Sequence, residues 1–233
     1  HWSVKQRELE YEKLRQEETL SAATETVIAE PETEESTEET VIYCDPVYDF
    51  GQLHEQNQDI YAWIVVPGTQ VDYPLLQSET DNYYLDYNLD HSKGYPGCIY
   101  TNQCNRKDFS DYNTVLYGHN MKNLSMFGSL KKYKTEDFYK DHQFFTIYTS
   151  ECAYRYQIFA YYDVPETDEV YTVGFAPDDT FQKFIDKMKQ KSYDDTGVNV
   201  TKDDHIMTLS TCSTTGKRFV VHAVRIDEHA LEK

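Results

Sequence analysis

The chain has 233 residues and carries 41 acidic side chains against 22 Lys and Arg, a formal net charge of −19. Both the first 45 residues and the remainder are acidic and no basic stripe is present, which argues against a nucleic-acid partner. No run reaches the roughly 18 apolar residues of a membrane span, and no signal sequence is present.

The N-terminal part differs in composition from the rest of the chain. Residues 1–20 combine good helix formers with mixed charges and predict a solvated helix. Residues 21–45 are rich in Glu, Thr and Ser and have few large apolar groups to offset the entropy of ordering, so they predict an acidic, disordered linker. Aromatic residues are spread evenly beyond this point, which predicts one folded domain over residues 46–229. We expect residues 230–233 to include a vector-derived tail.

Short strands dominate the folded part. In the first half of the folded part, the pattern predicts a helix at 48–60 that leads into a strand at 62–66. It also predicts strands at 71–76, 99–101 and 114–117 and a helical turn at 79–87. Its second half predicts short helices at 126–133 and 135–141, strands at 144–149, 154–162, 206–209 and 219–226, and a helix at 178–191. This helix is the clearest, because an Asp precedes it, Phe181, Phe184, Ile185 and Met188 share one face and basic residues end it. The pattern predicts a mixed, β-dominated barrel with peripheral helices rather than a parallel α/β sheet.

The five cysteines do not form a metal-binding pattern. They are odd in number, so at least one thiol is unpaired within a monomer, and neither CxxC nor His-x₃-His spacing occurs. Cys98 and Cys104 are spaced to pair across a turn, but the simpler interpretation is that both are small buried side chains. The paired acids at 194–195 and 203–204 lack calcium-loop spacing and predict solvated turns. We therefore expect no required metal and no other cofactor.

Candidate chemistry lies where two apolar runs meet at a polar turn. Cys212 ends the run that begins at residue 206, and Arg218 begins the run that ends at residue 226. Facing strand ends place such residues across one pocket, which suits a nucleophile and its charged helper. His119 follows another apolar run and offers a base with a pKa near neutrality. The alternatives are a buried structural cysteine and a solvated strand-end arginine. The rival histidines are His1, His54, His91, His142, His205, His222 and His229.

The motifs TLSTC, closely followed by Arg, and YGHN upstream resemble the sortase transpeptidases of Gram-positive cell walls, with class B fitting best. The segments DIYAWIVVPGTQVDYPLLQ and MFGSLKKYKTEDFYKDHQFFTIYT add to the resemblance, which covers residues 48–226 and not the first forty or so. It implies a closed, roughly eight-stranded barrel. It also implies Cys212 as nucleophile, His119 as general acid and base, and Arg218 as the group that stabilises the oxyanion and orients substrate. Ser210, Thr211 and Asn120 are secondary candidates for substrate contacts.

Arg225 competes with Arg218. On one regular strand, a separation of seven residues places the two arginines on opposite faces, so only one addresses the pocket. Arg218 lies nearer the loop and matches the family position.

The resemblance implies cleavage of a C-terminal sorting motif, either NPxTN-like or a TG-ending pentapeptide, through a thioester on Cys212. A cell-wall peptidoglycan amine or a lipid-linked precursor would then collect the acyl group, which anchors a secreted surface protein. It also implies that the protein is located at the extracellular face of the membrane. An N-terminal anchor would precede His1, with residues 1–20 as a juxtamembrane stalk.

Two alternatives belong to other classes of function. The first is a cysteine peptidase that transfers the acyl group to water, and an added amine would distinguish it. The second is a non-enzymatic surface binding module, in which Cys212 would be inert toward thiol reagents.

Overall fold

The structure is a computed structural model that describes residues 4–17, 19–27, 42–135, 137–212 and 216–231. Residues 19–27, 42–44 and 212 are described by their backbone alone. Within these ranges, no helix is both long enough and apolar enough to cross a bilayer.

Eight strands close into a barrel, which confirms the predicted fold class. The barrel strands are β3 (Ile60–Val65), β4 (Asp72–Leu76), β5 (Ile99–Thr101), β6 (Asn113–His119), β7 (Phe144–Tyr148), β8 (Cys152–Pro165), β9 (Ile206–Cys212) and β10 (Lys217–Ala230). The strand order around the barrel is β10-β8-β7-β3-β4-β5-β6-β9, and β9 pairs with β10 to complete the circle. Neighbouring strands are antiparallel except for the pairs β4–β5 and β6–β9, which are parallel.

The two long strands β8 and β10 serve two cores at once. Side chains alternate between the faces of a strand, so Val221 packs into the barrel interior while its neighbour Val220 packs outside it. The interior core includes Leu209, which lies opposite Val221 on the neighbouring strand, and the outer core lies under a helix that carries Phe181 and Ile185. Because β8 and β10 are buried on both faces, their sequences are nearly continuous in apolar and aromatic residues.

Peripheral helices occur close to where the sequence predicts them. The helix α5 has the predicted cap, since the Asp178 carboxylate accepts hydrogen bonds from the backbone N–H groups of Thr180 at 2.9 Å and Phe181 at 3.1 Å. The helices of the barrel region are α2 (Phe50–Gln56), α3 (Tyr83–Asp86), α4 (Phe138–Asp141), α5 (Asp179–Lys191) and the 3₁₀ helices Gly128–Lys134 and Glu169–Tyr171.

The N-terminal helix α1 (Val4–Glu17) is packed against the barrel, which corrects the expectation of a solvated helix. Its residues Arg7, Tyr11 and Leu14 are buried. The Tyr11 hydroxyl donates to the carbonyl oxygen of Gly97 at 3.1 Å, and Arg15 Nε donates to that of Asp72 at 2.7 Å. The helix was expected to be solvated because its apolar residues are few, but its buried face is completed by Arg7 and Tyr11, which find polar partners.

Two strands lie where the sequence predicts a disordered linker. Strand β1 (Thr19–Val27) pairs antiparallel with β2 (Ile42–Tyr48), while residues 28–41 of the predicted linker lie outside the described residues. The Thr and Val residues in this segment favour strands, a local preference that its overall Glu and Ser content conceals. The division of the chain into a stalk, a linker and a domain stays a prediction.

The cysteines described with side chains are unpaired. Cys98 is buried as expected, and burial raises the pKa of its thiol to about 12. Cys104 is exposed, so the expectation that it is a small buried side chain is wrong. Cys104 lies in a polar loop whose turn is closed by the Asn102 side chain, which accepts from the Cys104 backbone N–H at 2.9 Å.

Candidate active site

Strand register brings His119, Cys212 and Arg218 to one end of the barrel. His119 ends β6 and is paired with Cys212, which ends the parallel neighbour β9. On the other side of β9, the antiparallel register with β10 places Val220 opposite Ser210, and continuing it by two residues reaches Arg218 and Cys212. The three residues therefore lie side by side on three adjacent strands, although up to 99 positions of sequence separate them.

The local sequence explains how His119 is positioned. Ile99 and Phe127 pack against Gly118 so closely that a Cβ at that position would overlap both side chains. After His119 the chain turns back on itself, since the Phe127 backbone N–H donates to the His119 carbonyl oxygen at 3.0 Å. The YGHN motif thus ends a strand with a glycine that permits close packing and a histidine held at the start of a tight loop.

A backbone carbonyl orients the His119 ring. Nε2 of His119 lies 2.6 Å from the carbonyl oxygen of Leu85, and the Tyr95 ring packs on the imidazole with centroids 4.8 Å apart. Because a carbonyl oxygen only accepts hydrogen bonds, Nε2 carries the hydrogen and Nδ1 is the basic nitrogen of the neutral ring. The Leu85 carbonyl oxygen therefore has the position that a side-chain carboxylate or amide has in Ser-His-Asp and Cys-His-Asn triads.

The surroundings of His119 favour its neutral form. Burial lowers the pKa of His119, and the positive charge of Arg218 lowers it further, whereas the Leu85 hydrogen bond and the charge of Asp86 oppose the shift. The result is a ring that gives up a proton readily near neutral pH.

Arg218 is partly buried and ion-paired. One guanidinium nitrogen, Nη2, donates to Glu166 Oε2 at 2.9 Å, and the Arg218 side chain is 21% exposed. Glu166 directly follows β8, and its backbone N–H bonds to the carbonyl oxygen of Gly216 at 3.2 Å. The carboxylate thus holds the arginine at the mouth of the barrel.

The rival Arg225 lies at the other end of β9, so the choice between the two arginines rests on strand position. The backbone N–H of Arg225 bonds to the carbonyl oxygen of His205, just before β9 begins. Its guanidinium packs over the Tyr154 ring, 5.4 Å from the centroid. The pairing of β10 with β9 is regular from Val220 to Val224, as the sequence argument assumes, and the irregularity opposite His222 and Ala223 lies on β8, where Phe159 is the extra residue.

The secondary candidates differ in their exposure. The Ser210 hydroxyl is buried and lies 3.2 Å from the Tyr171 hydroxyl. The Thr211 hydroxyl is also buried and accepts from the Phe219 backbone N–H at 2.9 Å. Asn120 is exposed and lines a cleft of about 850 Å³ beside His119.

The other histidines with described side chains have structural partners. His222 is fully buried between the Thr208 and Tyr162 hydroxyls, each 2.9 Å from a ring nitrogen, and burial lowers its pKa to about 3. His229 lies between the carboxylates of Asp45 and Asp227 at the far end of β10. Neither ring lies at the strand end that carries Cys212.

Three contributors to the site were missed in the sequence: Leu85, Tyr95 and Glu166. Leu85 acts through its carbonyl oxygen, for which the sequence carries no signal. Tyr95 is an exposed aromatic residue in the polar segment before β5, and Glu166 is one of many acids. A feature that could have drawn attention to Glu166 is its place at the end of a long apolar strand, which predicts a loop at the rim of a site.

Comparison with known proteins agrees with this geometry. The Sortase domain family matches residues 64–226. Sortase B of Listeria monocytogenes is 39% identical over 163 residues, which cover 70% of this chain and 66% of that protein. Sortase B of Staphylococcus aureus is 36% identical over 178 residues, which cover 75% of this chain and 73% of that protein. The chain thus spans just under two thirds of the Listeria relative's length.

Solved structures lead to the same family. A structure of Staphylococcus aureus sortase B superposes with a TM-score of 0.72 at 36% identity. The match covers 76% of this chain and 84% of the Staphylococcus aureus chain. The structure of Clostridium perfringens sortase B has a TM-score of 0.72 at 30% identity and covers 77% of this chain and 100% of its own. A barrel that aligns cysteine, histidine and arginine at one end, matched in both sequence and fold, identifies the chain as a member of the sortase family of cysteine transpeptidases, class B.

Proposed function

We propose that this protein cleaves a C-terminal sorting motif on secreted proteins and transfers the acyl group to a cell-wall amine, at the extracellular face of the membrane. The observation that carries the proposal is the alignment of His119, Cys212 and Arg218 on the adjacent strands β6, β9 and β10. It supports a site in which a nucleophile has a base on one side and a fixed positive charge on the other.

In the first step, the Cys212 sulfur attacks the carbonyl carbon of the scissile peptide bond. The Cys212 thiol gives its proton to His119 as the C–S bond forms. The C–N bond then breaks, and the departing amine takes that proton from His119. The lowered pKa of His119 makes the protonated ring a stronger acid toward that amine. Arg218 donates to the carbonyl oxygen as negative charge develops on it.

In the second step, the acceptor amine attacks the thioester carbon. The new C–N bond forms, the C–S bond breaks, and the proton of the amine passes to the imidazole. His119 receives this proton on Nδ1, because Nε2–H is committed to the Leu85 carbonyl oxygen. The neutral ring favoured by the environment is the form that this step needs.

The relatives indicate the substrates to test. Staphylococcus aureus sortase B has been solved as a substrate complex, and a sortase B structure has been solved with triglycine, a small peptide amine. For this chain we propose secreted proteins with an NPxTN-like or TG-ending motif as donors. We propose a peptidoglycan amine, free or in a lipid-linked precursor, as acceptor. Asn120, Ser210 and Thr211 are proposed to contribute to the pocket.

The test is a cleavage assay with fluorogenic peptides of both motif types, with and without an added amine. We expect one motif to be cleaved, a trapped acyl adduct on Cys212, and loss of activity in Cys212→Ala, His119→Ala and Arg218→Ala. Cys104→Ala is the matched control, because Cys104 is exposed and lies outside the site. Activity that survives Cys212→Ala would exclude the mechanism. Acid product alone, at saturating amine, would favour the peptidase, and a Cys212 inert to thiol reagents would favour the binding module.

A further inference from the structure

The cleft beside His119 is positively charged in a protein that is strongly acidic overall. Its volume is about 850 Å³, within the range that holds a small ligand or a short peptide segment. Three lysines line it, Lys5 from α1, Lys122 from the loop after β6 and Lys131 from the 3₁₀ helix at 128–134. One acid, Glu8, accompanies them. The formal charge of the whole chain is −19, so this local excess of positive charge runs against the average.

The three lysines are exposed, and none forms an ion pair with another residue in the described part of the chain. Glu8, by contrast, is already engaged. Its carboxylate accepts from the Tyr73 hydroxyl at 3.1 Å and pairs with Arg15 Nη2 at 3.2 Å. The cleft thus presents ammonium groups whose partner is not supplied by the described residues, and its one carboxylate is paired with Arg15, which also pairs with Glu12.

Hydrogen bonds hold the walls of the cleft together. The Tyr73 hydroxyl donates to Glu8 on α1 and accepts from the Met126 backbone N–H, at 3.1 Å in both cases. Met126 belongs to the loop that carries Lys122, and the Phe127 N–H bond to the His119 carbonyl oxygen closes the same loop. The position of the lysines relative to the catalytic histidine is therefore built into the fold.

The position of the cleft indicates which of the two substrates it binds, the donor peptide or the acceptor amine. It opens on the β6 side of the aligned residues, where His119 forms part of its wall, whereas Arg218 lies beyond Cys212 on the β10 side. The incoming amine must reach His119 to lose its proton and enters where the departing amine has left, while the donor carbonyl must reach the arginine. The β6 side is thus the side from which an acceptor approaches.

We propose that this cleft binds an acceptor peptide that carries carboxylates close to its nucleophilic amine, with Lys5, Lys122 and Lys131 as the carboxylate-binding residues. The assignment rests on the proposed function and deepens it by naming the chemical class of the acceptor. The apolar part of the wall, formed by Val4, Tyr95 and Met121, accommodates the body of the peptide. The lysine field also disfavours a protonated amine, which helps to present the neutral nucleophile.

The first test measures binding without catalysis. Unlabelled peptides Gly-Gly-Gly-Glu-Glu and Gly-Gly-Gly-Gln-Gln, both amidated at the C-terminus, are titrated into ¹⁵N-labelled Cys212→Ala protein at low salt. We expect the acidic peptide to bind about threefold to tenfold more tightly, as a few exposed ion pairs allow, and to lose this preference at high salt. We expect the amide shifts to centre on the loop at 120–126. Equal affinities, or shifts centred elsewhere, would overturn the proposal.

The second test assigns the preference to the lysines. In Lys122→Gln and in the double variant with Lys131→Gln, we expect the ratio of the two dissociation constants to fall toward one. Lys183→Gln is the matched control, because it also removes one exposed positive charge, on α5 beside the outer core. A ratio retained in the double variant, or lost equally in the control, would overturn the proposal.

The third test asks whether the preference for the acidic acceptor also appears in the kinetics of aminolysis. With acyl-enzyme formed on Cys212, we expect the acidic acceptor to have the lower KM for aminolysis, and the lysine variants to raise that KM. A fall in the rate of acyl-enzyme formation equal to the fall in aminolysis would mean that the lysines bind the donor, and would overturn the assignment. If no sorting peptide acylates Cys212, the proposed function fails, while the binding titration still decides the acceptor site.

Discussion

The two ends of strand β10 place histidines in opposite electrostatic surroundings. At the start of the strand, Arg218 lies near His119, and burial together with that positive charge lowers the pKa of the imidazole. At the end of the strand, burial alone would lower the pKa of His229, but hydrogen bonds and charge from Asp45 and Asp227 raise it. The first arrangement favours the neutral ring, and the second favours the charged ring.

The difference matches two roles: His119 is proposed to exchange protons, whereas His229 connects two parts of the fold. A histidine that must accept and release a proton needs a neutral form that is populated at working pH, which a nearby cation favours. His229 is 8% exposed and connects β10 to Asp45 on β2, so this contact holds the N-terminal hairpin against the barrel. Substitutions at the two ends should therefore have different consequences.

The largest effect is expected from His119→Ala. Loss of the group that we propose to move both protons should lower kcat/KM for transpeptidation by about 10² to 10⁴-fold, with little change in the free energy of unfolding. His91→Asn is the control, because His91 is exposed with φ of 59°, a conformation that Asn tolerates. The comparison would fail if His119→Ala lost activity only in proportion to a loss of folded protein.

The next effect is expected from His229→Gln, and it is on stability. The substitution leaves the Asp45 carboxylate buried without its cation, and we expect the free energy of unfolding to fall by about 3 kcal/mol in urea denaturation. Glu228→Gln on the same strand is the control, since its carboxylate is half exposed. A loss no larger than that of the control would mean that the buried cluster carries little stability.

The pH dependence of stability should have opposite signs at the two ends. The raised pKa of His229 contributes stability that is fully present below the unfolded value of about 6.5 and is lost as pH rises through the folded pKa. The lowered pKa of His119 acts in the opposite direction, because the unfolded chain binds its proton first as pH falls below about 6.5.

Urea unfolding from pH 5 to 8 measures both contributions as differences from the parent protein. We expect His229→Gln to lose most stability at the acidic end of this range, and the difference to shrink as pH rises. For His119→Gln we expect the opposite trend. Parallel curves for either variant would exclude the assigned shift.

The smallest effect is a change in the titration of His119. Removing the positive charge in Arg218→Gln should move the pKa of His119 upward, which NMR of the imidazole protons can follow in the Cys212→Ala background. Arg225→Gln, at the other end of β9, should leave the titration unchanged. An unchanged His119 pKa in Arg218→Gln would mean that the guanidinium does not act on the ring.

Several elements of the fold follow from local sequence. The helix α5 is predictable from its Asp178 cap and its apolar face, and the paired runs around Cys212 predict adjacent strands. The N-terminal part was harder to predict. The burial of α1 depends on Arg7 and Tyr11 meeting partners 83 and 86 residues away, which no local pattern reports.

By itself the sequence determined the candidate residues, because TLSTC, the following Arg and YGHN are contiguous motifs with recognisable chemistry. It also determined the fold class, in part through the spacing of short apolar runs and mainly through the resemblance to sortases. Only the tertiary structure decided how these residues meet, since the pairing of β6 with β9 joins segments about 90 residues apart through backbone hydrogen bonds that carry no sequence signature. The Leu85 carbonyl and the lysine-lined cleft have the same origin: they arise where distant segments pack together, and packing is a property of the whole chain.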